Sequence, residues 1–151
     1  MESKINGLNQ SPSEVTTLFL AGQDLVSELS SSTIKVFLSF VNKDKPLVDE
    51  FRRELASQYT NLVLLDHAVR DTYDKNWKLD CAAKIDASAL LICLIGTTTH
   101  RSKPVAWEID RGLSHGKRVL AFNLVDKQVR LPDVLIRNSI TPMSHNAIFA
   151  S

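Results

Sequence analysis

Glu108 stands in the run Pro104-Val105-Ala106-Trp107-Glu108-Ile109, where Val105, Ile109 and Leu113 recur at the spacing of one helical face. At ~100° per residue, the position just before Ile109 projects from the flank of that face. A carboxylate there, with the small Gly112 one turn on, suits the stabilisation of positive charge developing on a substrate. The competing reading is a solvated glutamate paired with Arg111 or Arg101, because most helix glutamates are only surface charge. Three polar loops accompany it. Ser39-Phe40-Val41-Asn42-Lys43-Asp44 follows one apolar run, and Asp66-His67 with Arg70, Asp71, Tyr73 and Asp74 follows a second. Gly96-Thr97-Thr98-Thr99-His100-Arg101-Ser102 follows a third. These loops offer hydroxyls, amides and carboxylates, the groups that hold a polar ligand. Trp107 leaves the buried stripe, and either lines a crevice, meets a partner or makes a rim contact.

Other chemistries lack their residues. Cys81 and Cys93 form no C-x-x-C pair and His67, His100, His115 and His145 are scattered, so no metal site is expected. The thiols read as ordinary and partly buried, and each histidine as a surface residue. There is no G-x-G-x-x-G after the first apolar run, no phosphate-loop lysine motif and no G-x-S-x-G elbow. The run ending Ile95-Gly96 lacks the acidic residue that a phosphoacceptor domain places there.

The elements that must position Glu108 alternate. Strands are expected at Ile34–Phe40, Leu62–Asp66, Leu90–Ile95 and Arg118–Leu124, from their β-branched and apolar runs. Helices are expected at Asp44–Tyr59, burying Leu47, Phe51, Leu55 and Tyr59, and at Asp74–Asp86, burying Trp77, Cys81 and Ile85. A third runs from Pro104 to His115, closed by Gly116. Leu131–Arg137 reads as a short helical turn and Ile140–Met143 as a short fifth strand. Strands alternating with helices of this length imply an α/β parallel sheet with helices on both faces. In such a sheet, ligands bind beyond the carboxyl ends of the strands, where strand order reverses. All three polar loops fall at that edge.

Before these elements, Ser11-Pro12-Ser13-Glu14 is a capping box that opens a helix with Val15, Leu18, Gly22, Leu25 and Leu29 along one face. It reads as an appended helix that docks on the domain, with a dimerisation seam as the alternative. The expected division is an extension over residues 1–33 and a domain over residues 34–151.

The 151 residues carry a formal net charge of +1, with 44% hydrophobic and 23% charged residues. That matches one soluble domain of the usual size of about 100–150 residues. The near balance removes the electrostatic case for nucleic acid or an acidic membrane surface. Met1-Glu2-Ser3-Lys4 opens no secretory signal, and the longest apolar stretch is far shorter than the ~20 residues of a membrane span. A cytoplasmic protein is expected.

The runs Lys35-Val36-Phe37-Leu38-Ser39-Phe40 with Asp44, Leu65-Asp66, and Ile85 through Gly96 resemble a TIR domain. So do Ser102, Trp107-Glu108-Ile109 and Gly116-Lys117-Arg118-Val119-Leu120. The likeness is to the TIR-like, flavodoxin-like family that includes the NAD-processing component of the bacterial Thoeris anti-phage system, and it spans roughly residues 34–124. It implies a sheet of about five parallel strands and cleavage of the nicotinamide–ribose bond of NAD, with NAD as substrate and no other cofactor. The family's catalytic glutamate maps onto Glu108, and the residues ending its first strand map onto Ser39, Phe40 and Asn42. Asp66, Gly96, Thr97 and Trp107 complete the expected substrate contacts. The resemblance also implies a homo-oligomer built through contacts between TIR domains, and an ADP-ribose-derived signal read by a downstream effector in antiviral defence.

One carboxylate is enough for that chemistry. Glycosidases add a second carboxyl group to protonate a poor leaving group. Nicotinamide leaves a pyridinium as a neutral molecule, so the remaining task is to hold the ribose and stabilise an oxocarbenium-like transition state. Two other readings stand beside it: a TIR interaction module without turnover, and an N-glycosidase resembling nucleoside deoxyribosyltransferases.

Overall fold

The computed structural model of the protein describes residues 33–67 and 76–144. The helix expected over residues 12–29 lies outside the described residues, as do Arg70, Asp71, Tyr73, Asp74 and His145.

Five strands form one parallel sheet: β1 Ile34–Ser39, β2 Leu62–Leu65, β3 Leu90–Ile95, β4 Arg118–Asn123 and β5 Met143–Ser144. Their order is β2-β1-β3-β4-β5, with every pair parallel. This is the flavodoxin-like order, whose reversal point lies between β1 and β3. There Ser39, the last residue of β1, stands in register with Cys93.

Side chains of a strand alternate between faces, and the central strands divide the core accordingly. Val36, Leu38, Ile92, Leu94, Leu120 and Phe122 pack under helix α1, Lys45–Gln58. Phe37, Leu91, Cys93, Ile95, Val119 and Ala121 face helices α2, Trp77–Asp86, and α3, Lys103–Ser114. Apolar residues at every position of β3 are what cover on both sides demands. A short helix α4, Asp133–Arg137, buries Val134 and Leu135 on the α2–α3 side.

One expected core position moves. In α1, Val48 is buried while Leu47 is 37% exposed. Both residues satisfy a 3.6-residue period with Phe51 and Leu55, so spacing does not separate them; packing on the sheet selects Val48. The α3 boundaries have local causes. The Ser102 hydroxyl accepts from the Val105 N–H at 3.1 Å, capping the start, with Pro104 in the first turn. Beyond the end, Gly116 takes φ +73°.

Candidate active site

The cap at Ser102 fixes where α3 begins, and therefore places Glu108 in its second turn, facing the sheet. Glu108 is completely buried. The competing reading, a solvated glutamate paired with Arg111 or Arg101, gives way here. Arg111 instead donates two hydrogen bonds to Asp86 at the exposed end of α2. The space expected beside Glu108 at Gly112 is also absent: a Cβ on Gly112 would come within 3.0 Å of Leu91, because α3 packs closely on β3.

The two oxygens of Glu108 have different partners. The Ser39 hydroxyl donates to Oε1 at 2.6 Å. His67 Nδ1 lies 2.9 Å from Oε2, and Cys81 Sγ lies 3.6 Å from the same oxygen. An ionised carboxylate only accepts, and each of these three groups is able to donate to it. Burying such a charge is costly without hydrogen bonds, so the fold supplies them from three elements: β1, the segment after β2, and α2. Burial, together with the Glu108 carboxylate, pushes the Cys93 thiol well above the usual range.

His67 and Cys81 correct the sequence reading. His67 is 5% exposed, not a surface residue, and its Nε2 is buried with no hydrogen-bond partner among the described residues. Phe40 stands beside it, ring centroids 5.1 Å apart. Their signals in sequence were slight: a histidine directly after an apolar run, and a cysteine on the buried stripe of a helix.

The other expected residues fall in distinct places. Ser39 meets Glu108 directly, while Phe40 is buried on the α1 side of the sheet and touches the site through His67. Asp66 is ion-paired with Arg52 of α1, and its carbonyl accepts from Lys84 of α2 at 2.8 Å. It thus pins the end of β2 from both sides and fixes the backbone that presents His67. Asn42 is exposed in the 3-10 turn Asn42–Asp44. Gly96 is buried, and its N–H donates to Thr99 Oγ1 at 2.8 Å; a Cβ there would collide with the Asp44 carboxylate. Thr97 is half-buried in the adjoining turn. Trp107 is half-buried against Trp77, edge to face at 5.5 Å, so it packs between α2 and α3 on the outer side of the site.

Near the strand-order reversal there is therefore a second carboxyl group, Asp44, buried beside Gly96 with Oδ2 lacking a hydrogen-bond partner among the described residues. Burial raises its proton affinity, and Lys43 opposes the rise only in part. No helix among the described residues is long and apolar enough to cross a membrane.

Comparison with known proteins agrees with this fold. The TIR domain of the Toll-related receptor TRR-2 from Hydra magnipapillata superposes with a TM-score of 0.55 at 12% identity, covering 71% of this chain and 82% of that one. That likeness is one of fold. A glucosamine N-acetyltransferase region of a fungal multidomain GH3 β-N-acetylglucosaminidase is also similar, with a TM-score of 0.46 and 15% identity, over 62% of this chain and 10% of that one. No curated protein matches the chain in sequence. The family described as "Thoeris protein ThsB, TIR-like domain" matches residues 37–128, more than half of the chain, and contains Ser39, His67 and Cys81 as well as Glu108. The chain belongs to the TIR-like domain family of the Thoeris protein ThsB.

Proposed function

We propose that this chain cleaves the nicotinamide–ribose bond of NAD, with Glu108 as the catalytic carboxylate. The observation that carries this reading is the Glu108 side chain: fully buried, yet tied to Ser39 at the carboxyl end of β1 where strand order reverses.

As the bond to nicotinamide breaks, positive charge grows on the ribose C1′ and ring oxygen, and the pyridinium departs neutral. No group needs to donate a proton to it. A carboxylate held in a water-poor pocket stabilises that charge far more than one in solvent. The hydrogen bonds from Ser39 and His67 hold the Glu108 carboxylate in one orientation before substrate arrives, and Asp66, pinned by Arg52 and Lys84, keeps His67 in place. Ribose hydroxyls are donors of the same kind as Ser39 and His67, so the substrate enters by exchanging with these internal partners. The ribosyl cation then meets water or an internal nucleophile, giving ADP-ribose or a cyclic product. Membership of the Thoeris family supports a signalling role for that product in antiviral defence inside the cell, with self-association of the domain as a further part of the proposal.

A second reading is a TIR interaction module without turnover. Glu108 favours it to this extent: its carboxylate has no exposed surface and its contacts are internal, as those of a structural glutamate would be. Incubating the chain with NAD, and separately with deoxynucleosides, and resolving the products by mass spectrometry decides the matter. Release of nicotinamide that disappears in Glu108→Gln is the expected result. Absence of turnover at high protein concentration supports the module. Cleavage of deoxynucleosides alone supports a different N-glycosidase.

A further inference from the structure

Around Glu108 Oε2 the fold gathers three kinds of donor atom. A ring nitrogen of His67, Sγ of Cys81 and a carboxylate oxygen of Glu108 all lie within 4.8 Å of one another, and all three residues are buried. We propose that His67, Cys81 and Glu108 form a binding site for a single borderline-soft divalent cation, with Zn2+ the best fit.

The donor set makes the selection. Imidazole, thiolate and carboxylate together suit zinc, whereas magnesium and calcium take oxygen ligands. Three protein ligands is also the number found in zinc sites that keep an open fourth position. With Zn–N of about 2.0 Å and Zn–S of about 2.3 Å, ligand atoms of a tetrahedral site stand roughly 3.5 Å apart. The His67–Glu108 and Cys81–Glu108 separations of 2.9 and 3.6 Å bracket that value. The widest pair, within 4.8 Å, closes by up to about 1.3 Å to reach that spacing. On binding, the Cys81 thiol releases its proton to solvent, the imidazole proton shifts from Nδ1 to Nε2, and coordination replaces the hydrogen bond between His67 and Glu108.

Sequence spacing conceals this set, because His67 and Cys81 stand 41 and 27 residues from Glu108 and come from separate elements. Cys93, on the neighbouring strand, is not among the three. Its sulfur lies outside the cluster, which makes it the natural control. A cation on Oε2 withdraws the carboxylate from ribose, so the site is inhibitory. That consequence, though not the binding itself, rests on Glu108 being catalytic.

The test uses the full chain, stripped with a chelator and titrated with Co2+ alone. The expected result is a thiolate-to-cobalt charge-transfer band in the near ultraviolet that saturates at one ion per chain and is bleached by Zn2+. Cys81→Ser removes the band and Cys93→Ser keeps it. His67→Gln weakens Zn2+, measured by competition with a chromogenic chelator, by about tenfold or more. Circular dichroism establishes that each variant is folded, and Cys81→Ala replaces the serine variant if that one is not. No band, a band that survives loss of Cys81, or unchanged Zn2+ affinity in His67→Gln overturns the site. Since binding is read without NAD, cobalt uptake by a chain that never cleaves NAD rejects the catalytic reading and leaves the metal site standing. NAD cleavage without metal uptake does the reverse.

Discussion

Ser39 and Glu108 lie 69 residues apart in the chain and 2.6 Å apart in space, the serine hydroxyl donating to Oε1. This bond joins the end of β1 to the second turn of α3 inside the core, where a hydrogen bond to a charged group contributes about 1.5–3 kcal/mol. Ser39→Ala is expected to lower the unfolding free energy by that amount, read as a lower urea midpoint at unchanged slope, because the core is otherwise intact. Combined with Glu108→Gln in a double-mutant cycle, the two losses are expected to fall short of additivity, since one interaction is removed twice. Additive losses would show that the two side chains are energetically independent.

His67 acts on Glu108 through Nδ1 while standing against Phe40. His67→Phe keeps an aromatic ring against Phe40 and removes the polar contact with the carboxylate. Misplacing a reacting group by about 1 Å costs roughly a hundredfold in rate, so NAD turnover is expected to fall by about that factor, mainly in kcat. His67→Gln, which again presents an N–H, is expected to recover part of the loss. Equal kcat values for the Phe and Gln variants would assign His67 a packing role only.

Much of the fold was legible because β3 and its neighbours are apolar at consecutive positions and α3 carries a Ser102 cap, a proline and a period of 3.6. These signals are local, and the residues that make them also make the element. The site was legible in part. Glu108 and Ser39 stood out by position and by resemblance, but their contact depends on the order β2-β1-β3, which no local pattern encodes. His67 looked ordinary because a lone buried histidine has no periodic signature, and the helical stripe that marks Cys81 as buried does not tell what its thiol meets. Asp66 was visible as a carboxylate at a strand end. Only packing reveals that Arg52 and Lys84 turn it into a brace for His67.

Asp44 provides a test in pH. Its carboxyl is buried with Oδ2 unpartnered among the described residues, and burial raises its pKa from the ordinary 3.8 against the smaller pull of Lys43. The folded chain therefore holds a proton that the unfolded chain has released. In the window above 3.8, stability falls as pH rises through the folded value, and the part gained from protonation is fully present only below 3.8. Asp44→Asn removes the ionisation. It is expected to be more stable than the parent by about 1 kcal/mol at neutral pH, and the gap is expected to close on acidification. Urea midpoints of both proteins across the acidic range measure it. A gap independent of pH would place the effect in packing rather than charge.

Gly96 offers the sharpest steric prediction, because the same carboxylate fills the space a side chain would need. A Cβ on Gly96 would lie 2.6 Å from Asp44 Cγ and 2.7 Å from Oδ1, closer than such atoms approach. Asp44 is buried at the start of α1. Overpacking of this kind costs about 1–3 kcal/mol, so Gly96→Ala is expected to lower stability within that range. The strain also reaches the site, since Gly96 directly follows β3 and its N–H is held by Thr99, at the edge where strand order reverses. Turnover of NAD is therefore expected to drop together with stability. Shortening the clashing group in Gly96→Ala with Asp44→Ala is expected to restore much of the midpoint. A double variant no more stable than Gly96→Ala alone would show that the glycine is required by its backbone and not by its proximity to Asp44.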